Sequence, residues 1–264
     1  MKSNPDPLAG LASMGDRILG RSSTAYQIRR VCGEGDGVER AQRLRFEVFN
    51  LELEEGLSTS YATGLDADPF DAVCEHLLVE EMSSGQVVGT YRMQTGRTAA
   101  GRLGYYSEQE FDLGRFEQAR GEIIELGRAC VDVKHRNLKV LSLLWKGIAE
   151  YAREQGARYL IGCSSLTSQD AGEGWRMYQH LAVRHLAPED WRTEPHPALA
   201  CGAGVTVEGV GMAPKVPRLL AAYLSIGARI CGPPAMDREF GTIDFLTFLD
   251  VAALPMSIVN RYLR

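Results

Sequence analysis

Residues 122–165 read EIIELGRACVDVKHRNLKVLSLLWKGIAEYAREQGARYLIGCSS, and their pattern sets the fold class. Ile123, Ile124, Leu126, Cys130 and Val131 form a β-prone run. Leu138, Leu141, Trp145, Ile148 and Ala152 then recur at the three-to-four-residue spacing of an amphipathic helix. Lys139, Ser142, Lys146, Glu150 and Arg153 fall mostly on the opposite face. Gly156 stands where that helix should stop, and residues 158–163 are strand-like again. Strand, helix and strand in this order predict a βαβ unit, whose crossover is right-handed on a parallel pair. The chain is therefore expected to be α/β.

The turn before the helix carries Lys134, His135, Arg136 and Lys139. The first N–H groups of a helix lack intrahelical partners, and the dipole there favours an anion. The cluster fits a phosphate-binding corner or a solvated basic turn, and spacing does not choose between them.

Working outward, 264 residues with 45% hydrophobic and 24% charged side chains suffice for a sizeable core. A net charge of −5 argues against general nucleic-acid binding and makes the basic turn a local feature. Six cysteines, at 32, 74, 130, 163, 201 and 231, form no CxxC pair and no zinc spacing, as expected of reduced core cysteines in a cytoplasmic protein. No stretch approaches the ~20 apolar residues of a membrane span, so at most peripheral contact with the inner membrane is expected.

Residues 1–24 read as a flexible arm and 25–264 as one domain, elaborated from about residue 188. Strands are expected over 26–31, 76–81, 87–93, 205–210 and 244–250, and helices over 38–53, 105–118, 174–186 and 217–229. Ser83, Ser84 and Gly85 supply a hairpin turn. Asp66, Asp68 and Asp71 lack the glycine and distal glutamate of an EF-hand, so metal is discounted in favour of a capped turn. Arg92 interrupts an otherwise apolar strand and needs a partner or a role. Glu125 and Arg128 are three apart, so a regular strand sends them to opposite faces and only a bulge brings both to one cleft. The pair fits a proton acceptor with its helper, or edge charges.

Taken together, RLRFEVF (43–49), DADPFD (66–71) with CEHLLV, VVGTYRM (87–93), ELGRACVDVKHRN followed by LLWKGI, and CGPPAMDREFGTIDFLTFLD (231–250) resemble the acyl-carrier-protein-dependent branch of the GNAT-fold N-acyltransferases. The C-terminal segment is similar to the ornithine N-acyltransferases and N-acyl amino acid synthases, and less so to the acyl-homoserine lactone synthases. The resemblance spans roughly residues 26–250. It implies a mixed twisted sheet flanked by helices, with a C-terminal α/β elaboration. It also implies transfer of a long-chain acyl group, plain or 3-hydroxylated, to an amino acid, with ornithine foremost. An N-acyl amino acid synthase making a signalling metabolite, a lactone synthase, which would need S-adenosylmethionine, and a non-catalytic carrier-protein-binding module are the alternatives.

Residue by residue, the resemblance implies Arg45, Phe49, Asp68, Asp71 and Arg92 on the acceptor side. It makes Glu125 the proton acceptor, directly or through water, with Arg128 beside it. It places the acyl donor at Val131, Lys134, His135, Arg136, Asn137 and Lys139. Lys139 and Leu141 replace the small residues that admit the pyrophosphate of coenzyme A. That favours the phosphopantetheine arm of acyl carrier protein, an acidic partner that the basic turn would also steer. No bound cofactor and no metal are implied.

Overall fold

The computed structural model describes residues 17–18, 25–201 and 214–254. A nine-stranded sheet forms its backbone, in the order β1-β2-β3-β4-β5-β6-β9-β7, with β8 also paired to β9. The strands are β1 (Arg17–Ile18), β2 (Tyr26–Cys32), β3 (Glu75–Glu81), β4 (Val87–Thr95), β5 (Ile123–Val131), β6 (Tyr159–Leu166), β7 (Arg229–Ile230), β8 (Ala235–Asp237) and β9 (Thr242–Asp250). Every pairing is antiparallel except β5 with β6, the pair joined by the expected crossover helix.

That helix, α3 (Leu138–Gln155), starts where the Asn137 side chain accepts from the N–H groups of Lys139 and Val140, and stops at Gly156 in a left-handed conformation (φ 65°). Its sheet-facing side is Val140, Leu144, Ile148, Tyr151 and Ala152, packed on Ile28, Leu77 and Val79. The expected face was rotated from this one: Leu138 is 70% exposed, and Leu141 and Trp145 border a cavity.

Leu78 lies between Leu77 and Val79 and so points to the opposite face of the sheet. There it meets Val38 and Ala41 of α1 (Asp36–Phe46), while the short α2 (Gly96–Gly101) follows β4 directly. The expected single helix over 38–53 ends instead in a π-helical segment, Glu47–Glu52. This wider turn brings Val48 and Phe49 into a cluster with Cys130 and Phe240.

One further difference affects the site. Residues 105–118 are two 3₁₀ segments, Tyr106–Gln109 and Gly114–Glu122, and the N–H groups of Tyr106 and Ser107, free at the start of the first, bind the Glu125 carboxylate. On the C-terminal side, α4 (Ala171–His185) and α5 (Arg218–Ser225) pack Met177, Leu181, Leu220 and Leu224 around Phe245 of β9. The expected strand over 205–210, and most of the expected N-terminal arm, lie outside the described residues.

Candidate active site

The parallel pairing of β5 and β6 lasts three residues, Ile123 to Glu125 against Tyr159 to Ile161. Gly162 permits the last close approach, since a Cβ there would lie 2.1 Å from the Leu126 carbonyl oxygen. Beyond it the strands are unpaired. On its other edge β5 slips register against β4 between Thr90 and Arg92, and Arg128 adopts φ 49°. This is the bulge that Glu125 and Arg128 require to share a cleft.

A cavity of about 950 Å³ opens at the parting strands. Leu144, Trp145, Leu160 and Tyr223 line it from the α3 face, whereas Ile161, Cys163 and Asp244 line it from the opposite face. The cavity therefore passes through the sheet. Gly127, Arg128, Ala129, Cys130 and Val131 of the bulged strand form part of its wall.

Three arginines and three aspartates are interlocked beside it. Arg45, fully buried, pairs with Asp66 (2.9 Å) and places two nitrogens on the Asp71 carboxylate at 3.0 and 2.6 Å. Arg92 Nη1 donates to Asp68 Oδ1 (2.6 Å) and Asp71 Oδ1 (2.9 Å). Arg128 Nη2 donates to Asp68 Oδ2 (3.0 Å), with its guanidinium between the rings of Tyr106 (4.7 Å) and Phe240 (4.6 Å). Burial alone would raise the aspartate carboxyls. Arg45 and Arg92 nevertheless hold Asp71 well below its usual value, and Arg92 and Arg128 hold Asp68 below it. Such a charge-balanced cluster fixes geometry more than it adds stability.

Glu125 lines the cavity and is fully engaged. Its Oε1 accepts from Ser107 N (2.8 Å) and Ser107 Oγ (2.6 Å), and its Oε2 from Gln94 Nε2 (2.7 Å) and Tyr106 N (2.7 Å). A carboxylate has about four lone-pair sites, and here all are filled. A substrate proton reaches Glu125 only when one of these donors is displaced. In this arrangement Glu125 pins the turn that carries Tyr106 onto Arg128.

The basic turn is partly neutralised. Arg136 makes a two-pronged ion pair with Glu52 of the π-helical segment (2.6 Å for each contact) and donates from Nε to Val131 O (3.0 Å). His135 Nδ1 is hydrogen-bonded to Tyr26 (3.0 Å), while Lys134 and Lys139 are exposed. Because Asn137 caps the first N–H groups of α3, a phosphate there competes with that cap.

On the face opposite α3, the cavity wall is acidic. Glu55, Asp237 and Asp244 line it, with Glu110 behind Asp244. Burial first, and then Asp244 and Asp237, push the Glu110 carboxyl well above its ordinary value. Asp244 is raised by burial and by Asp237, and Glu55 by burial and by Asp244. These groups, with Tyr106 and Asp66, were not singled out from sequence as site residues. Asp66 stood visibly in the aspartate run, but Glu110 and Asp244 lie in unrelated segments with no motif to join them.

Residues 44–146 match the acetyltransferase (GNAT) domain family. The chain is 30% identical over 263 residues to the L-ornithine N(alpha)-acyltransferase of Brucella abortus, covering 95% of this chain and 93% of that protein. The chain belongs to the L-ornithine N(alpha)-acyltransferase family. The Agrobacterium fabrum member is 31% identical, covering 97% of this chain and 90% of its own length. Among solved structures, that of TofI in a ternary complex with an inhibitor and MTA superposes with a TM-score of 0.50 at 14% identity. It covers 88% of this chain and 96% of that one, a likeness of fold. This family member is accordingly an N-acyltransferase on a GNAT-type mixed sheet. Of the site residues expected from sequence, the acyltransferase brings Phe49, Arg92, Glu125, Arg128, Val131, Arg136 and Asn137 to the cavity wall. Arg45, Asp68 and Asp71 stand behind Arg92 and Arg128, and Lys134, His135 and Lys139 lie away from the wall. Among the described residues no helix is long and apolar enough to cross a membrane.

Proposed function

We propose that the chain transfers a long-chain acyl group from the phosphopantetheine thioester of acyl carrier protein to the α-amino group of ornithine, forming an N-acyl ornithine, the lyso-ornithine lipid. The observation that carries this reading is the cavity through the sheet, apolar beside α3 and acidic on the other face. An acyl chain suits the first arm and an amine the second, so the thioester carbonyl falls at the parted strands. The four similar proteins named L-ornithine N(alpha)-acyltransferase support ornithine as acceptor.

In this reading the α-ammonium first loses a proton to water in the cavity, which passes it to solvent. The free amine attacks the thioester carbonyl, and holding both reactants in one channel supplies proximity. Backbone N–H groups of the bulged 127–131 segment steady the developing oxyanion. The C–N bond forms as the C–S bond breaks, and the second amine proton goes to the departing sulfur. Arg92 and Arg128, locked by their aspartates, hold the bulge in shape. The exposed Lys134 and Lys139 and the half-exposed Arg136 attract the acidic carrier protein. Membrane contact, if made, is peripheral and follows from the lipid product.

Thiol release by the purified protein tests the reading, with 3-hydroxyacyl carrier protein and the matching coenzyme A thioester offered in parallel. Ornithine-dependent release, at least about tenfold more efficient from the carrier protein, is expected from steered docking. Equal use of both donors would remove the carrier protein from the proposal, and no release with any amino acid would remove the acyl transfer.

A further inference from the structure

Glu110 and Asp244 are each 4% exposed. Glu110 Oε2 and Asp244 Oδ1 have no hydrogen-bond donor among the described residues. One ligand atom from each, together with Cys163 Sγ, lies within 4.8 Å of the others. Asp244 pairs in register with Ser165 on β6 and borders the cavity, on the same face of the sheet as Cys163. Each carboxyl thus keeps one buried oxygen without a donor, while Glu110 Oε1 accepts from Cys163 (3.8 Å) and Ser165 and Thr242 stand beside Asp244. A buried carboxylate oxygen in this state favours a cationic donor.

The surroundings are acidic. Glu55, Asp237 and Cys163 also border this wall, with the hydroxyl of Ser165 beside Asp244. The nearby cation is Arg128, whose guanidinium already serves Asp66 and Asp68 and is enclosed by two aromatic rings. Tyr106 is pushed far up by burial and stays neutral. Burial, and then the same carboxyls, raise the Cys163 thiol well above its ordinary value.

We propose that the Glu110–Asp244 pair is the seat of the acceptor's second cation: it receives the side-chain alkylammonium of a diamino acid and thereby selects which amino acid is acylated. The proposal rests on the acyl-transfer reading above and extends it to substrate choice. An alkylammonium offers three donors on a compact charge, matching two facing carboxyls with free lone pairs. In the empty site the pair retains a proton, since like charges this close do not both ionise. A bound cation expels that proton into solvent. The α-amine is then the end left to face the thioester.

Substrate preference provides the test. In the wild-type protein, kcat/KM for ornithine should exceed that for norvaline, the same chain without its terminal ammonium, by at least about 100-fold. In Asp244→Asn and Glu110→Gln that ratio should collapse to within about tenfold, whereas a merely structural role lowers both amines and preserves the ratio. Calorimetry with ornithine alone, in two buffers of different ionisation heat, should show proton release on binding that is lost in Asp244→Asn. Equal use of norvaline by the wild type, a preserved ratio in both variants, or tight Zn²⁺ binding that excludes ornithine would overturn the proposal. Ornithine binding with proton release but no acyl transfer to any amine would leave the cation seat standing and fell the acyl-transfer reading instead.

Discussion

Asp68 holds Arg128 at 3.0 Å across the bulge of β5, and its other oxygen holds Arg92 at 2.6 Å. One carboxylate thus ties the two strands whose register slip creates the site. Asp68→Asn leaves two buried guanidiniums short of a counter-charge and should lower stability by about 3 kcal/mol, the usual scale for breaking a buried pair. Urea unfolding checks this, and a loss under about 1 kcal/mol would mean the aspartate is dispensable to the bulge.

Stability should fall both below the ordinary carboxylate range and as the pH rises from that range toward neutral, for opposite reasons. Asp71 is held below its ordinary value of 3.8, so its contribution is present above that pH and is lost as the pH falls toward the folded-state value. Glu110 and Asp244 are raised, so the stability of their protonated forms is full below the ordinary carboxylate range and is lost as the pH rises through their folded-state values. Thermal melts across pH should show both limbs. Asp244→Asn should flatten the upper limb alone, and a wild-type profile flat from acid to neutral pH would contradict the raised pair.

Gly162→Ala should damage activity more than a surface alanine, because its Cβ would meet the Leu126 carbonyl oxygen at 2.1 Å and backbone cannot swing aside as a side chain can. A loss of about 2 kcal/mol in stability is expected, with weaker binding of the acyl donor. An unchanged melting temperature and KM would show that the strands are free to part further.

For Glu125→Gln, the amide cannot accept on its nitrogen, where two donors now point. Stability should fall by about 2 kcal/mol together with turnover. If instead turnover vanishes at an unchanged melting temperature, Glu125 is the proton acceptor itself and its present bonds are exchangeable.

Arg136→Ala should raise KM for the acyl carrier protein thioester, and the effect should fade with added salt, since charge steering is screened beyond about 8 Å at physiological ionic strength. A small pantetheine thioester should show little change. Equal effects on both donors would place Arg136 at the thioester and not at the protein partner.

The βαβ unit was legible because helix and strand periodicities differ and Gly156 marks the stop. The need for a bulge was legible too, since Glu125 and Arg128 are three apart. The face of α3 was not, because Leu138, Leu141 and Trp145 are apolar toward a cavity and mimic a core stripe. The 105–118 segment is anchored by Glu125 through the N–H groups of Tyr106 and Ser107, a long-range contact that no local pattern records. Glu110 and Asp244 meet only through tertiary packing, so neither residue announces itself.

The central claim is that the acyl chain and the amine enter from opposite faces of the sheet and meet at the parted strands. Fragmentation mass spectrometry of the product from ornithine and acyl carrier protein thioester tests it most directly, because it reports which nitrogen carries the acyl group. Acylation at the α-nitrogen, with the side-chain amine free, is the expected result. Acylation at the side-chain nitrogen would contradict it, since the amine assigned to the acidic wall would then be the one that reacts.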